Sequence, residues 1–431
     1  MLLEFRVKNF RSFKDAQVLS LIPSSDTSLQ ENILSAGDYN ALKIVSLFGP
    51  NASGKSNLIK AVDFFVNLIK TSTSPLPEQG KRIRVHPFLL EKEASDIPSE
   101  FEAIFVYDKV RYQYGFSLTA ERIIEEWLYA FPLGRSQVWF TRQYNKKTDS
   151  YDWKFGSNLK GGKSRHEIKS KTRDNALYLS VAAQWNNEQL ITVYEYVTNN
   201  IKTIFPNDDI RNITASLLLE AQDDDEFKIV VNKAIMTFLK KADIGIKNLN
   251  VKREDIDKIK FEFPEEMPEE IRRKYRKNFE ENPPLVINFV HSGNNSKNEM
   301  VLPLNEESEG TKRLFELLGP LFQTLFLGYT VFIDELEASL HPLLMTELLK
   351  LCIRIPEAKG QIVFTTHSTG LLRSDLFRRD QIWFTEKDNF GASKLYPLSD
   401  YKPRKDEAME KGYLSGRYGA IPILEEFGIN E

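Results

Sequence analysis

The sequence predicts an α/β protein with a mixed, mainly parallel sheet, an antiparallel β subdomain and an inserted compact helical lobe. Three observations predict this class. A β-branched strand at 43–48 runs through a glycine-rich loop into a segment with helical periodicity. Apolar and polar residues alternate over several segments between 101 and 142, as in antiparallel strands with one solvated face. Helical and strand patterns alternate between 309 and 385, which is typical of a parallel sheet covered by helices.

Composition narrows the class of protein further. The 431 residues suffice for two or three ordinary domains, or for one large fold with an insertion. A net charge of -3 does not indicate nucleic-acid binding by the chain as a whole, so DNA could bind only at a local basic groove. The single cysteine, Cys352, lies in an apolar helical pattern, so we interpret it as core packing in a reducing cytosol. Because no segment resembles a signal peptide or a membrane helix, we expect a cytoplasmic protein without a membrane partner.

Residues 49–56 match the pattern G-x-x-x-x-G-K-[ST]. The backbone N–H groups of such a loop wrap nucleotide phosphates, provided that a strand precedes the loop and a helix follows it. Both are predicted here. Lys55 is expected to place its charge at the β- and γ-phosphates, and the Ser56 hydroxyl to ligate Mg²⁺. The residues predicted to bind the nucleotide along this loop are Gly49, Asn51, Ala52, Ser53, Gly54, Lys55, Ser56 and Asn57.

An apolar strand at 330–333 ends in two carboxylates, Asp334 and Glu335. We predict that Asp334 holds Mg²⁺, directly or through water, and that Glu335 positions or deprotonates the attacking water. A solvated strand end is the alternative, and the β-branched and aromatic residues before the carboxylates argue against it. The loop and this strand end together predict that ATP is bound with Mg²⁺ and hydrolysed.

Two further elements fit a γ-phosphate. Ser308 and Gly310 lie at the start of a predicted helix, whose free N–H groups and positive dipole end suit an anion. His367 follows the strand after the acidic one, at the edge of the sheet where ligands bind in open α/β folds. A purely structural histidine is the alternative for His367.

The order of these motifs resembles that of an ABC-type ATPase (P-loop NTPase) head of the SMC and OLD kind. The resemblance implies that two heads sandwich two ATP molecules, with Ser308 and Gly310 acting in trans. It also implies that 339–341 cross the dimer interface and that His367 senses the γ-phosphate. The signature departs from the group's pattern, since it reads Ser-Glu-Gly-Thr where the group has Ser-Gly-Gly-Gln. Gln137 is the candidate for the glutamine that senses Mg²⁺ in this group.

The opening phrase Asn-Phe-Arg-Ser-Phe, at 9–13, resembles the start of the same group and implies that Arg11 lies near the nucleotide. On this resemblance the chain divides into four segments. They are the N-terminal half of the ATPase head (1–143), the inserted helical lobe (144–284), the C-terminal half of the head (285–400) and a tail (401–431). Within the lobe, the polar, Gly/Lys-rich stretch 145–165 indicates a boundary, and the apolar pattern of 190–203 predicts a helix. The lobe has no sustained heptad pattern, so we expect no coiled-coil arm.

Several phrases resemble the bacterial RloA/AbiLi-type abortive-infection ATPases more closely. They are Val-His-Pro-Phe at 85–88, Glu-Glu-Trp-Leu-Tyr at 125–129, Asp-Glu-Leu-Glu-Ala-Ser-Leu-His-Pro at 334–342, Asp-Gln-Ile-Trp-Phe at 380–384 and the Gly/Tyr-rich phrase at 412–422. The resemblance implies a homo-oligomeric ATPase that senses infection and controls a separately encoded effector, a nuclease, in anti-phage defence. No nuclease motif stands out in the sequence, so we expect the effector chemistry in another protein.

Two alternatives to this function stay open. One is an SMC-like DNA-binding ATPase in repair or chromosome handling, against which the lack of a coiled coil and the mild acidity argue. The other is a toxin that acts alone. The basic run at 272–277 would suit a phosphate backbone, but acidic neighbours nearly cancel its charge, and we interpret it as a solvated helix with internal ion pairs. The tail at 401–431 either docks an effector or packs on its own domain.

Overall fold

The computed structural model describes eleven stretches of the chain. They are 1–74, 82–91, 97–132, 134–220, 226–242, 245–255, 263–264, 266–292, 299–355, 358–401 and 408–422. The chain forms two compact units. Unit 1 comprises Met1–Pro206, Thr324–Glu337 and Thr346–Glu431, and unit 2 comprises Asn207–Gln323 and Ala338–Met345.

The strands and helices follow one another in an order that matches the predicted α/β class. The strands are β1 (Leu2–Lys8), β2 (Gln17–Ser20), β3 (Ile33–Ala36), β4 (Tyr39–Leu42), β5 (Ile44–Phe48), β6 (Ser99–Tyr107), β7 (Val110–Leu118), β8 (Ile123–Phe131), β9 (Gln137–Asn145), β10 (Ser150–Phe155), β11 (Ile201–Ile204), β12 (Ile246–Arg253), β13 (Leu285–Ser292), β14 (Glu299–Pro303), β15 (Thr330–Ile333), β16 (Gln361–Thr365), β17 (Ile382–Lys387) and β18 (Ser393–Pro397). The helices are α1 (Lys55–Thr71), α2 (Ser164–Lys171), α3 (Tyr178–Gln184), α4 (Glu188–Glu195), α5 (Arg211–Glu220), α6 (Glu226–Lys241), α7 (Glu269–Glu281), α8 (Glu309–Leu327), α9 (Pro342–Arg354) and α10 (Met409–Leu414).

A six-stranded sheet in unit 1 positions the predicted motifs. Its strand order is β11-β15-β16-β5-β17-β18, and all neighbours are parallel except the last pair. The central strands β5, β15 and β16 are buried along their whole length, which is why they are continuous apolar runs in the sequence. Because the strands are parallel, the residues that follow β5, β15 and β16 meet at one edge of the sheet.

A seven-stranded antiparallel sheet, in the order β10-β9-β8-β7-β6-β1-β2, forms the second layer of unit 1. Helix α1 packs against it through Phe65, whose ring centroid lies 5.7 Å from that of Phe5 and 5.3 Å from that of Phe116. The same helix directly follows the glycine-rich loop, so the aromatic core anchors the loop's exit. The predicted combination of a mainly parallel sheet with an antiparallel subdomain is confirmed.

Two strands lie where the sequence analysis expects none. Strand β10 adds an edge to the antiparallel sheet within a stretch whose polarity suggested a boundary, and β11 pairs in parallel with β15. The sequence predicts a helix through 190–203, but the helical period ends with Asn200, and both Ile201 and Ile204 are buried in the sheet. Pairing with β15 therefore overrides the local period. The four-segment division stays a prediction, although these strands do not follow its boundary at 143.

Unit 2 combines helices with a three-stranded antiparallel sheet, β12-β13-β14. Helices α5 and α8 approach closely at Gly319, where an added Cβ would lie 2.4 Å from Thr214 Oγ1. The Thr214 hydroxyl donates to the Phe315 carbonyl at 2.7 Å and accepts the Gly319 N–H at 3.0 Å. Helix α7, which carries the basic run, has no buried residue. It forms the ion pairs Arg272–Glu269 and Lys277–Glu281, which confirms a solvated helix.

The described part of the tail, 408–422, belongs to unit 1 and packs against strand β17 of its parallel sheet. The ring of Tyr413 stacks on Phe384 of β17 at 5.3 Å, and its hydroxyl donates to the Ala420 carbonyl at 2.7 Å. The start and the end of the tail, 402–407 and 423–431, lie outside the described residues. In the stretches that the structure does describe, no helix combines the length and the apolar character needed to cross a membrane.

Candidate nucleotide site

The glycine-rich loop connects β5 to α1 in unit 1, as the motif requires. Gly49 and Gly54 adopt φ values of 154° and 119°, which side chains on L-residues disfavour. Space is equally restrictive, since a Cβ on Gly49 would lie 2.3 Å from the Thr385 carbonyl oxygen, and one on Gly54 would lie 2.4 Å from Ser393 Oγ. The two glycines of the motif are therefore required by both the backbone and its neighbours.

A set of hydrogen-bonded hydroxyl groups contacts the glycine-rich loop. Ser53 Oγ lies 2.6 Å from Thr385 Oγ1, and Ser393 Oγ donates to the Ser53 carbonyl at 2.6 Å. Ser393 Oγ also lies 2.8 Å from Ser12 Oγ, which accepts a hydrogen bond from Asn57 at 2.8 Å. The turn at 9–13 is thereby joined to the loop. Thr385 and Ser393 are not predictable from the sequence, because a lone hydroxyl in a strand carries no distinguishing pattern.

Lys55 is buried and turns back onto its own loop. Its Nζ donates to the carbonyl of Gly49 at 2.7 Å and to that of Pro50 at 3.1 Å. Burial lowers the pKa of Lys55 to about 8, against the opposing influence of Glu337 and two further carboxylates. Its hydrogen-bond acceptors are neutral carbonyl oxygens, and a polyphosphate would add negative charge in direct contact with the ammonium group.

Asp334 and Glu335 follow β15 at the same edge of the sheet. Oδ1 of the buried Asp334 accepts hydrogen bonds from Ser56 Oγ at 3.0 Å and from Thr365 Oγ1 at 2.7 Å. The Thr365 hydroxyl also accepts the Glu335 N–H at 2.7 Å. Glu335 has a φ of 51° and an exposed side chain. Its carboxylate is therefore accessible to solvent, next to the hydrogen-bonded Asp334. Thr365, which orients this pair, is not predictable from the sequence.

His367 lies two residues beyond β16, near Lys55. Its backbone N–H donates to the Glu337 carboxylate. Partial desolvation, followed by the charge of Lys55, lowers the pKa of His367 below its ordinary value, which favours the neutral imidazole. A neutral ring can both donate and accept, as the sensing of a phosphate oxygen requires.

Arg11 belongs to the turn that the hydroxyl network joins to the loop, and it has a φ of 52°. Its N–H donates to the His86 carbonyl at 2.7 Å, and its guanidinium lies 5.6 Å from the ring centroid of Phe10. Its Nε is buried without a hydrogen-bond partner among the described residues. Gln137 begins β9 opposite Ala130 in the antiparallel sheet. Its assignment as a Mg²⁺ sensor stays a prediction.

The serine and glycine of the signature lie in unit 2. Ser308 Oγ accepts the Thr311 N–H at 3.1 Å, as a residue at a helix N-terminus does, and so fixes the start of α8. A Cβ on Gly310 would lie 3.0 Å from the Ser339 carbonyl, which places 338–341 against the signature within this unit. Their predicted action across a dimer stays a prediction.

The residues of unit 1 fit magnesium and a nucleoside triphosphate. A serine hydroxyl and a carboxylate, 3.0 Å apart at Ser56 and Asp334, are hard oxygen donors of the kind Mg²⁺ prefers when phosphates supply further ligands. The loop offers backbone N–H groups at the start of α1, together with the buried ammonium group of Lys55. This combination of fold and site defines a P-loop ATPase.

The chain belongs to the family described as "AAA domain, putative AbiEii toxin, Type IV TA system", whose model matches residues 44–373. Among solved structures it is similar to an SMC head bound to the C-winged helix domain of ScpA, with 14% identity and a TM-score of 0.45, covering 92% of this chain and 97% of that one. It is also similar to the SMC head domain from Thermotoga maritima, with 12% identity, a TM-score of 0.39 and coverage of 92% and 98%.

A third similar structure is the Smc head domain with an extended coiled coil, bound to the C-terminal domain of ScpA derived from Pyrococcus furiosus. It has 14% identity and a TM-score of 0.42 and covers 93% of this chain and 97% of that one. No curated protein matches the chain. The family membership confirms the predicted P-loop ATPase class, whereas the closer resemblance to RloA/AbiLi-type proteins stays a prediction.

Proposed function

We propose that this protein binds ATP with Mg²⁺ at the loop 49–57, hydrolyses it, and uses its nucleotide state to control a separately encoded effector. The observation that carries the proposal is the convergence of Lys55, Ser56 and Asp334 at one edge of the parallel sheet, with the accessible Glu335 beside them. Strand ends of a parallel sheet bring together groups that are far apart in the sequence, and this set matches the needs of phosphoryl transfer.

Each side chain has a distinct role in this proposal. Lys55 leaves the carbonyls of its own loop and neutralises the β- and γ-phosphates, while Ser56 and Asp334 hold Mg²⁺. Glu335 accepts a proton from the attacking water, and Thr365 holds the backbone that presents it. The neutral His367 contacts the γ-phosphate. Bound Mg²⁺ supplies positive charge to the phosphate oxygens, which stabilises the charge that develops there.

Closure of two copies completes the proposed mechanism. The start of α8, fixed by Ser308, presents free N–H groups that would cap the γ-phosphate held by a second copy. Gly310 leaves room for that approach, and 339–341 would lie at the interface. The closed, ATP-bound dimer is the state proposed to hold or release the effector, a nuclease acting in anti-phage defence in the cytoplasm.

The biochemical part is tested with Glu335→Gln and Lys55→Ala, and with Glu347→Gln on the exposed face of α9 as a matched carboxylate control. We expect Glu335→Gln to bind ATP with Mg²⁺, to lose turnover and to accumulate as a dimer in analytical ultracentrifugation. Lys55→Ala should not bind ATP, and Glu347→Gln should behave as the wild type. A wild-type protein that binds no ATP with Mg²⁺, or a Glu335→Gln variant that stays monomeric with ATP, would refute this part.

The biological part is tested separately in cells that express the chain together with its neighbouring gene. We expect protection against phage that requires both proteins and that is lost with Lys55→Ala. Killing by the chain alone would instead support a toxin. Salt-sensitive DNA binding that depends on ATP would support the SMC-like alternative, with a log–log slope that counts the phosphate contacts.

A further inference from the structure

Three exposed apolar side chains form a patch on unit 1. Leu89, Leu90 and Phe390 are 75%, 71% and 82% exposed, and they come from two segments far apart in the sequence. The segments touch, because a Cβ on Gly391 would lie 2.5 Å from Leu90 Cδ1. Beneath them Phe88 and Ala392 are buried against each other. We call Leu89, Leu90 and Phe390 the apolar patch.

The patch is held by an ordered turn between β17 and β18. Asp388 Oδ1 accepts the N–H groups of Phe390 and Ala392, both at 2.9 Å, and the Asp388 N–H donates to the Ala392 carbonyl at 2.9 Å. On the other segment, the Phe88 N–H donates to Asn9 Oδ1 at 3.0 Å. Both segments are therefore fixed to the framework that also carries the nucleotide loop.

The patch lies close to the glycine-rich loop. Phe390 precedes Ser393 by three residues, and Ser393 donates to the Ser53 carbonyl within the loop at 2.6 Å. Three residues of chain span at most about 10 Å, so Phe390 lies within that distance of Ser393. A bound nucleotide that has its phosphates on the loop extends over a similar distance.

The order of the strands gives the nucleotide a direction. In the sheet β11-β15-β16-β5-β17-β18, the acidic residues follow β15 and His367 follows β16, both on one side of the loop-bearing β5. The γ-phosphate is drawn to that side by the metal ligands and the histidine. The base, at the other end of the nucleotide, then extends toward β17 and β18, whose connecting turn carries Phe390.

We propose that the apolar patch receives the base of the bound nucleotide, with the ring of Phe390 stacked on its face. This inference rests on the nucleotide site proposed above and adds a base subsite to it. An aromatic ring beside two leucines offers a flat apolar surface, which suits the π-face of any base and is largest for purines. We therefore expect adenine and guanine nucleotides to bind with similar affinity.

The test compares ligands with and without a base. Binding of ATP, GTP and inorganic tripolyphosphate, each with Mg²⁺, is measured by calorimetry on the full chain and on Phe390→Ala. We expect the variant to bind both nucleotides about tenfold more weakly, because base stacking on an aromatic ring is worth about 1–3 kcal/mol. Its affinity for tripolyphosphate should be unchanged, and Phe390→Tyr should restore nucleotide binding. Leu414→Ala, which removes another exposed leucine of unit 1, serves as the matched control.

The outcomes separate this inference from the proposed function. If the wild type binds ATP and Phe390→Ala binds it equally well, the base subsite is refuted while the nucleotide site stands. If Phe390→Ala weakens tripolyphosphate as much as ATP, the patch supports the loop and does not contact the base. A change in oligomeric state without a change in ATP affinity would assign the patch to a second copy of the chain. If the wild type binds neither ATP nor tripolyphosphate, the proposed function fails as well.

Discussion

The substitution Thr365→Val tests whether one buried hydroxyl group organises the acidic end of β15. The two side chains have nearly the same shape, so the change removes a hydroxyl and leaves no cavity. In the native protein this hydroxyl donates to Asp334 at 2.7 Å and accepts the Glu335 N–H at 2.7 Å. Thr365 is fully buried, so water cannot take the place of the lost group.

The expected size of the effect follows from these two hydrogen bonds. A bond to a charged group contributes about 1.5–3 kcal/mol, and the bond from the Glu335 N–H contributes about 1 kcal/mol. We expect the second loss to raise the exchange rate of the Glu335 amide by about five- to tenfold, since 1.4 kcal/mol corresponds to a factor of ten. Asp334 also loses the group that fixes its carboxylate, and the loss of such a supporting contact weakens metal binding by about 10- to 100-fold.

The assay is hydrogen–deuterium exchange on a peptide that spans 333–337, combined with titration of Mg²⁺ at saturating ATP. Thr365→Ser is the control, because it keeps the hydroxyl and loses only a methyl group. We expect Thr365→Ser to retain the protection and the Mg²⁺ affinity that Thr365→Val loses. If Thr365→Val shows native exchange in this peptide and native Mg²⁺ affinity, the hydroxyl does not organise the site, and the interpretation of β16 as its support is wrong.

Three further predictions follow from groups described above. Glu126→Gln breaks the fully buried ion pair with Arg142, so it should lower the free energy of unfolding, measured in urea, by about 3 kcal/mol. The control Glu125→Gln, at the next residue, should change the free energy of unfolding by no more than about 0.5 kcal/mol. The pKa of Lys55 is lowered to about 8, and bound phosphates will raise it. ATP binding at pH 8.5 should therefore take up protons, and the affinity for ATP should fall between pH 7 and 9. Equal calorimetric enthalpies of ATP binding in phosphate and Tris buffers would contradict this expectation. Gly360→Ala should lower Tm by about 2–5 °C because its Cβ would lie 1.9 Å from a backbone carbonyl, whereas Gly370→Ala, with nothing within 4 Å, should leave Tm unchanged.

The sequence predicts the sheet with its loop and strand ends because those signals are local. The central strands are continuous apolar runs, and the loop needs glycines at fixed positions, so both leave a pattern in consecutive residues. Strand β11 is not predicted because its signal is not local. Its four residues continue a helical pattern, and only pairing with β15, more than a hundred residues away, makes them a strand. Long-range pairing of this kind has no local signature.

The same distinction holds at the site. Lys55, Ser56 and Asp334 are predictable because phosphate and metal chemistry demands those residue types beside recognisable elements. Thr365 and Ser393 are not, since each acts through a single hydroxyl whose partners come from elsewhere in the chain. A hydroxyl in a strand is most often an ordinary strand residue, so only the structure distinguishes those that position a functional group.

Several non-glycine residues of the candidate site have a left-handed backbone, as do residues in turns elsewhere in the described chain. Asn9, Arg11, Ala52 and Glu335 all have φ values between 48° and 61°, and each belongs to a segment predicted to contact the nucleotide. Such a conformation costs a non-glycine residue about 1–2 kcal/mol and persists only where surrounding contacts enforce it. At Asn9 the side chain donates to the Ile97 carbonyl at 2.6 Å. At Glu335 the N–H is held by a buried hydroxyl. Contacts with the surrounding structure therefore hold these segments in place without a ligand. A ligand that binds between them meets groups whose positions are already fixed.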